Sequence, residues 1–137
     1  MKTNIIVDTG PLVAFFNKRD KYHDWAVMQW AEIKPPMLTC EAVLSEACFL
    51  LGPDQGAIIT LLERKVLHLP FRLADHIKHI ERLLRKYSDV PMSLADACLV
   101  RMAELYDDSP LFSIDTDFTV YRKHKKQVIP TILPTLT

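Results

Sequence analysis

Two short aliphatic runs, each ending at an acid, restrict this chain more than any other feature. Ile5-Ile6-Val7 stops at Asp8-Thr9-Gly10-Pro11, and Leu111-Phe112-Ser113-Ile114 stops at Asp115. Apolar runs this short, closed by turn residues, read as strands buried on both faces, the condition of a parallel sheet covered by helices. Met37-Leu38-Thr39, Val66-Leu67-His68-Leu69 and Val128-Ile129 are further strand candidates.

The segments between them carry helical signals. Pro11 suits the first turn of a helix through Leu12 to Phe16. A second helix is expected over 22–33, where Trp25 and Met28 recur at helical spacing, and Pro35-Pro36 ends it. Thr39 is placed to cap a helix over 40–51 that stops at Gly52-Pro53. Helices are also expected over 55–65, over 72–86 with Leu73, Ile77, Ile80 and Leu84 on one stripe, and over 93–105. Strands alternating with helices predict an α/β chain, three layers α/β/α around a mostly parallel sheet. Its 137 residues, 49% of them hydrophobic, match one domain spanning 1–137.

Composition removes several classes of function. Three glycines, Gly10, Gly52 and Gly56, are too few and too scattered for a dinucleotide loop or a phosphate-cradling loop. Cys40, Cys48 and Cys98 form no paired motif, which fits reduced thiols and a cytoplasmic location. Asp8 interrupts the N-terminal apolar stretch, so the start does not read as a secretion signal, and no run approaches a membrane span. Asp8-Thr9-Gly10 also mimics an aspartic-protease triplet, but that fold is almost entirely β and this sequence is rich in helix.

In open α/β sheets the functional crevice lies beyond the carboxyl ends of the strands. Asp8 and Asp115 both sit there, with Asp117 two residues further on. Glu46 and Asp96 are carboxylates within otherwise apolar helices, Ala42 to Phe49 and Leu94 to Leu99. Two like charges about 4 Å apart repel by roughly 4 kcal/mol at an effective dielectric near 20, so converging carboxylates need shared protons or a cation. A hard divalent ion, Mg²⁺ or Mn²⁺, accepts such oxygens and activates water for phosphodiester hydrolysis.

The segments Ile5 to Thr9, Ser45-Glu46-Ala47, Ser93 to Ala97 and Ser113 to Phe118, in this order and spacing, resemble the PIN-domain family and more narrowly its VapC-type toxin ribonucleases. The likeness covers nearly the whole chain, including Phe118 to Arg122. It implies a PIN-like fold and an endoribonuclease cleaving RNA, with tRNA and rRNA as usual substrates. An acidic quartet of Asp8, Glu46, Asp96 and Asp115 would hold Mg²⁺ or Mn²⁺, with Asp117 as a fifth member. Thr9 and Ser113 fall at hydroxyl positions beside the metal. A cognate antitoxin and a homodimer are implied as partners. Where this family often carries Asn, the chain has Gly10.

Each feature also has a plainer explanation. Asp8 can cap the helix that follows it, and Asp96 can be the acid of a capping arrangement begun by Ser93. Asp107 and Asp108 read as solvated turn residues. His76 and His79 read as part of a solvated basic face, since 72–86 holds five cations against two acids. That face and the cluster Arg122 to Lys126 can each neutralise phosphates, although 17 Lys and Arg balance 17 Asp and Glu overall. Tyr22, Trp25 and Trp30 read as core or as a subunit interface. The competing function is a PIN-like RNA-binding or protein-interaction domain without turnover.

Overall fold

Five strands of two residues each form one all-parallel sheet in the computed structural model, which describes residues 1–135. The last two positions of the expected 1–137 domain lie outside the described residues. Strand β1 is Ile6–Val7, β2 Met37–Leu38, β3 Leu67–His68, β4 Leu111–Phe112, and a fifth, β7, Thr131–Ile132. Between β4 and β7, strands β5 (Arg122–Lys123) and β6 (Gln127–Val128) pair antiparallel as a separate ribbon. The main sheet runs β3-β2-β1-β4-β7. Successive crossovers from β1 proceed outward to β2 and β3, and the chain then returns to the other side of β1, so the order reverses between β1 and β4. A crevice opens at such a switch point.

Register sets which residues meet at this switch point. Ile6 lies opposite Leu111 and Val7 opposite Phe112. The next residues on each strand, Asp8 and Ser113, therefore stand side by side beyond the sheet's carboxyl edge. Ile6, Val7, Leu111 and Phe112 are wholly buried, which pins the register, because a slip along the strand would draw polar Asn4 or Asp8 into the buried sheet.

Helices cover the sheet as expected for a three-layer α/β/α fold. Helix α1 is Thr9–Phe16, α2 His23–Ala31, α3 Glu41–Leu51, α4 Gly56–Glu63, α5 Ile77–Lys86 and α6 Leu94–Leu105. Helix α6 is buried around most of its circumference, through Ala95, Ala97, Cys98, Leu99, Val100, Met102 and Ala103. A helix apolar all round belongs in the interior. Trp25 packs 5.4 Å from Phe112 between ring centres, and Trp30 4.0 Å from Phe15, so these aromatics serve the core. No single helix among the described residues is long and apolar enough to cross a membrane.

Six expectations need correction. The helix over 72–86 is broken: a short 3₁₀ turn occupies Leu73–Asp75, and α5 begins only at Ile77. His76 causes the break, stacking on Phe71 at 5.0 Å and accepting a hydrogen bond from Arg101 Nε at 3.2 Å, so it is no part of a solvated face. Of the proposed stripe only Ile80 is fully buried, while Ile77 faces solvent. Thr39 does not cap α3: its hydroxyl donates to the Val7 carbonyl at 2.9 Å, and Cys40 stands at the cap position. The last strand of the main sheet is Thr131–Ile132 rather than Val128-Ile129, because Ile129 anchors in the core and Leu111 N–H donates to the Pro130 carbonyl. Asp107, finally, is exposed but not merely solvated. Buried Lys123 donates to its carbonyl at 2.7 Å and to its carboxylate at 3.3 Å, and His124 meets that carboxylate at 2.8 Å.

Candidate active site

Asp8 ends β1 and begins α1, and both roles are visible in its two oxygens. Oδ1 accepts the Thr9 N–H at 2.7 Å, capping the helix, and Oδ2 accepts the Ser113 hydroxyl at 2.7 Å across the switch point. Ser113 Oγ in turn accepts the Asp115 N–H at 2.9 Å, and Asp115 Oδ1 accepts the Asp117 N–H at 2.9 Å. One hydroxyl thus ties the loop after β4 to the acid after β1. The chain then tightens into a 3₁₀ turn, Thr116–Thr119, which Asp115 caps.

Asp96 enters from the first turn of α6. The capping arrangement read from the sequence is present, but it uses the backbone: Ser93 Oγ accepts the Asp96 N–H at 3.0 Å. The Asp96 carboxylate is left to accept the Tyr121 hydroxyl at 2.9 Å. Glu46 joins differently. It is exposed on α3, and its Oε2 accepts the Thr9 hydroxyl at 3.2 Å, a hydroxyl also 3.5 Å from the Val43 carbonyl. Thr9 and Ser113 therefore flank Asp8 on opposite sides, each linking it to a different acid.

The electrostatics are those of a crowded anionic site. Burial raises the Asp8 carboxyl to about 6, with Asp96 and Asp115 adding to the rise against hydrogen bonds from Ser113 and Thr9. Asp96 is raised as well, first by burial and then by Asp115, while Tyr121 and Ser93 oppose the shift. Burial followed by the Asp96 carboxylate keeps the Tyr121 phenol protonated far above its usual range, with the charges of Asp117 and Asp115 contributing. Among the described residues, no three His, Cys, Asp or Glu side chains close tightly enough around one point to hold a metal ion as they stand. The donor set still fits a hard divalent cation, since it consists of carboxylate and hydroxyl oxygens whose ionisation a positive charge would favour.

Tyr121 was not distinguished by sequence reasoning. It is wholly buried and packs edge-on against Phe118 and Tyr87. Its only signal was an aromatic residue in the stretch after the last acidic motif, which by itself reads as core. Gly10 gains a physical explanation. A Cβ there would lie 3.2 Å from both Cβ and Cδ1 of Ile114, so α1 approaches the loop after β4 closely enough that a side chain at this position would require Ile114 to shift by a few tenths of an ångström.

Known proteins can be set beside this geometry. The family model for the PIN domain matches residues 5–124. The crystal structure of Mycobacterium tuberculosis VapC20, a sarcin-ricin loop cleaving toxin, superposes with a TM-score of 0.75 over 93% of this chain and 100% of that one, at 22% identity. At that identity the likeness is one of fold. No curated protein matches the sequence. With that model matching most of its length, the chain belongs to the PIN domain family.

Proposed function

We propose that this protein is a divalent-metal-dependent endoribonuclease acting as the toxin of a toxin–antitoxin pair. The observation that supports the proposal is the hydrogen-bonded path at the β1/β4 switch point from Asp8 through Ser113 to Asp115, with the charges of Asp96 and Asp115 adding to the burial that raises Asp8 to about 6. A carboxylate held in so unfavourable a place, with its geometry fixed by Ser113 and Thr9, is suited to a cation and poorly suited to folding alone. Similarity of fold to a toxin that cleaves the sarcin-ricin loop supports the reaction class. RNA of the tRNA or rRNA class is the substrate we assign, without carrying over that toxin's target.

Asp8, Asp96 and Asp115 would hold Mg²⁺ or Mn²⁺, with Glu46 binding the metal or orienting water and Asp117 as a further oxygen donor. When bound, the ion supplies Lewis-acid activation of water and neutralises charge on the phosphate. Ser113 and Thr9 keep Asp8 and Glu46 in place, and Tyr121 Oη–H fixes the Asp96 carboxylate from behind. Burial of Asp8 limits water access to its own carboxylate, which would strengthen its pull on a cation. A cytoplasmic homodimer controlled by a cognate antitoxin and built as a single domain completes the reading.

Total cellular RNA incubated with the purified protein and Mn²⁺, Mg²⁺ or EDTA tests it, with Asp8→Asn alongside and product ends mapped. Discrete cuts that require the metal and vanish with Asp8→Asn are expected. The loss should be on the order of a thousandfold, several kcal/mol of transition-state stabilisation. RNA left intact with either metal, or cut equally by Asp8→Asn, contradicts the assignment.

A further inference from the structure

On a flank lined by none of these carboxylates, α5, α6 and the β5–β6 ribbon border an open cavity of about 610 Å³, within the range of natural ligand sites. Its charged lining is one-sided: Arg82 and Lys86 from α5, Arg101 from α6, and Arg122 and Lys125 from the ribbon face a single acid, Glu104. Glu104 is consumed by the structure. Its Oε1 accepts Arg101 Nη1 at 3.2 Å, and its Oε2 accepts the His124 N–H at 2.7 Å. Among the described residues, Arg82, Lys86, Arg122 and Lys125 have no acidic partner within salt-bridge distance. In a chain whose formal charges cancel, gathering unpaired cations around one cavity costs self-repulsion that an anion entering the cavity would remove. His79 at its rim reports the same field, since desolvation and then Arg101 and Arg82 push its imidazole below the ordinary range.

Two links connect this cavity to the acids. Arg101 lies on α6 about 7.5 Å beyond Asp96 along the axis and about 140° around it, so this helix runs from the acid to the cavity. Tyr121, which hydrogen-bonds Asp96, is the chain neighbour of Arg122, whose Nη1 is fixed by the carbonyls of Thr119, Val120 and Tyr121 at 2.6 to 3.0 Å. We infer that the cavity is a subsite for an RNA backbone phosphate flanking the one that is cut, read by charge without base contacts. This inference rests on the ribonuclease reading. We take a flanking phosphate over an acidic peptide because RNA is the substrate of the proposed reaction and the exposed cations Arg82, Lys86 and Lys125 supply charge to its backbone, to which Arg122, its Nη1 held by three carbonyls, adds a fixed positive field.

The test uses the full chain with a labelled 20-nucleotide single-stranded RNA in EDTA, then the same RNA with Mn²⁺ for cleavage. Arg82→Gln/Lys86→Gln/Lys125→Gln should weaken binding about tenfold and lower the slope of log affinity against log salt by about 2, at roughly 0.7 per phosphate contact. KM should rise with kcat retained, because binding remote from the bond acts equally on ground and transition states. Lys18→Gln/Lys34→Gln, exposed and outside the cavity, should change neither. If a thermal melt shows that the triple variant is unfolded, Arg82→Gln/Lys125→Gln replaces it. Parent-like affinity, salt slope and KM in a protein that still cleaves RNA would remove the subsite and leave the nuclease standing. Polyglutamate displacing the RNA at lower charge concentration than unlabelled RNA would assign the cavity to an acidic protein. A parent that neither binds nor cleaves RNA would overturn both readings.

Discussion

The two charged regions of this molecule are opposite in sign and in construction. At the β1/β4 switch point the acids sit where strand register and helix caps place them, on short side chains tied to backbone and hydroxyl groups. On the flank, the cations project on long side chains from α5 and the ribbon, mostly exposed, and converge through tertiary packing. Repulsion in the first region is locked in by the fold and shows as raised carboxyls, whereas flexible side chains and solvent relieve the second. A cation site should therefore tolerate almost no substitution, and an anion site should lose function in increments.

Four predictions sharpen that contrast, the largest first. Without divalent metal, the folded Asp8 carboxyl near 6 against its ordinary 3.8 means that the native state binds the extra proton. Stability should be fully present below about pH 4, fall as pH rises to about 6, and stay lower by about 3 kcal/mol above it. Urea denaturation from pH 4 to 8 in EDTA checks this, and Asp8→Asn should flatten the curve while Mn²⁺ restores the lost stability at pH 7.

Ser113→Ala comes next. It leaves the Asp115 N–H without its partner and frees Asp8 Oδ2, costing about 1 to 3 kcal/mol of stability. Since a residue that orients ligands is lost, cleavage rate should fall 10- to 100-fold, measurable on a defined RNA. Tyr121→Phe keeps the packing with Phe118 and Tyr87 and removes one hydrogen bond to Asp96, about 1 kcal/mol. That bond lowers the Asp96 carboxyl, so the acidic limb of the pH–rate profile should move upward in the variant. The smallest effect belongs to Arg85→Gln. Arg85 is on α5 beside the cavity residues but forms an exposed ion pair with Glu81, so stability should change by no more than about 0.5 kcal/mol and RNA affinity not at all.

Legibility in the sequence follows the same division. The strands after Asn4 and Pro110 were readable because continuous aliphatic runs ending in acids have few other uses, and their register placed Asp8 beside Ser113. The acids of α3 and α6 stood out against apolar neighbours, yet Glu46 lies on the exposed side of its helix and reaches the site only through Thr9. Nothing local marked Tyr121, whose hydroxyl finds Asp96 twenty-five positions away through the fold. The break at His76 depended on Phe71 and Arg101, contacts no periodicity contains. The cavity is drawn from three segments, of which two had been noticed as separate basic patches, and only packing shows that they share one space with Arg101.

The central claim is that the acids at the switch point bind a hard divalent cation. Titrating Mn²⁺ into the metal-free protein, with bound ion followed by electron paramagnetic resonance, tests it most directly. Saturable binding that weakens at least tenfold in Asp96→Asn and disappears in Asp8→Asn/Asp115→Asn is the predicted result. Binding that is absent from the parent, or unchanged in both variants, would contradict it.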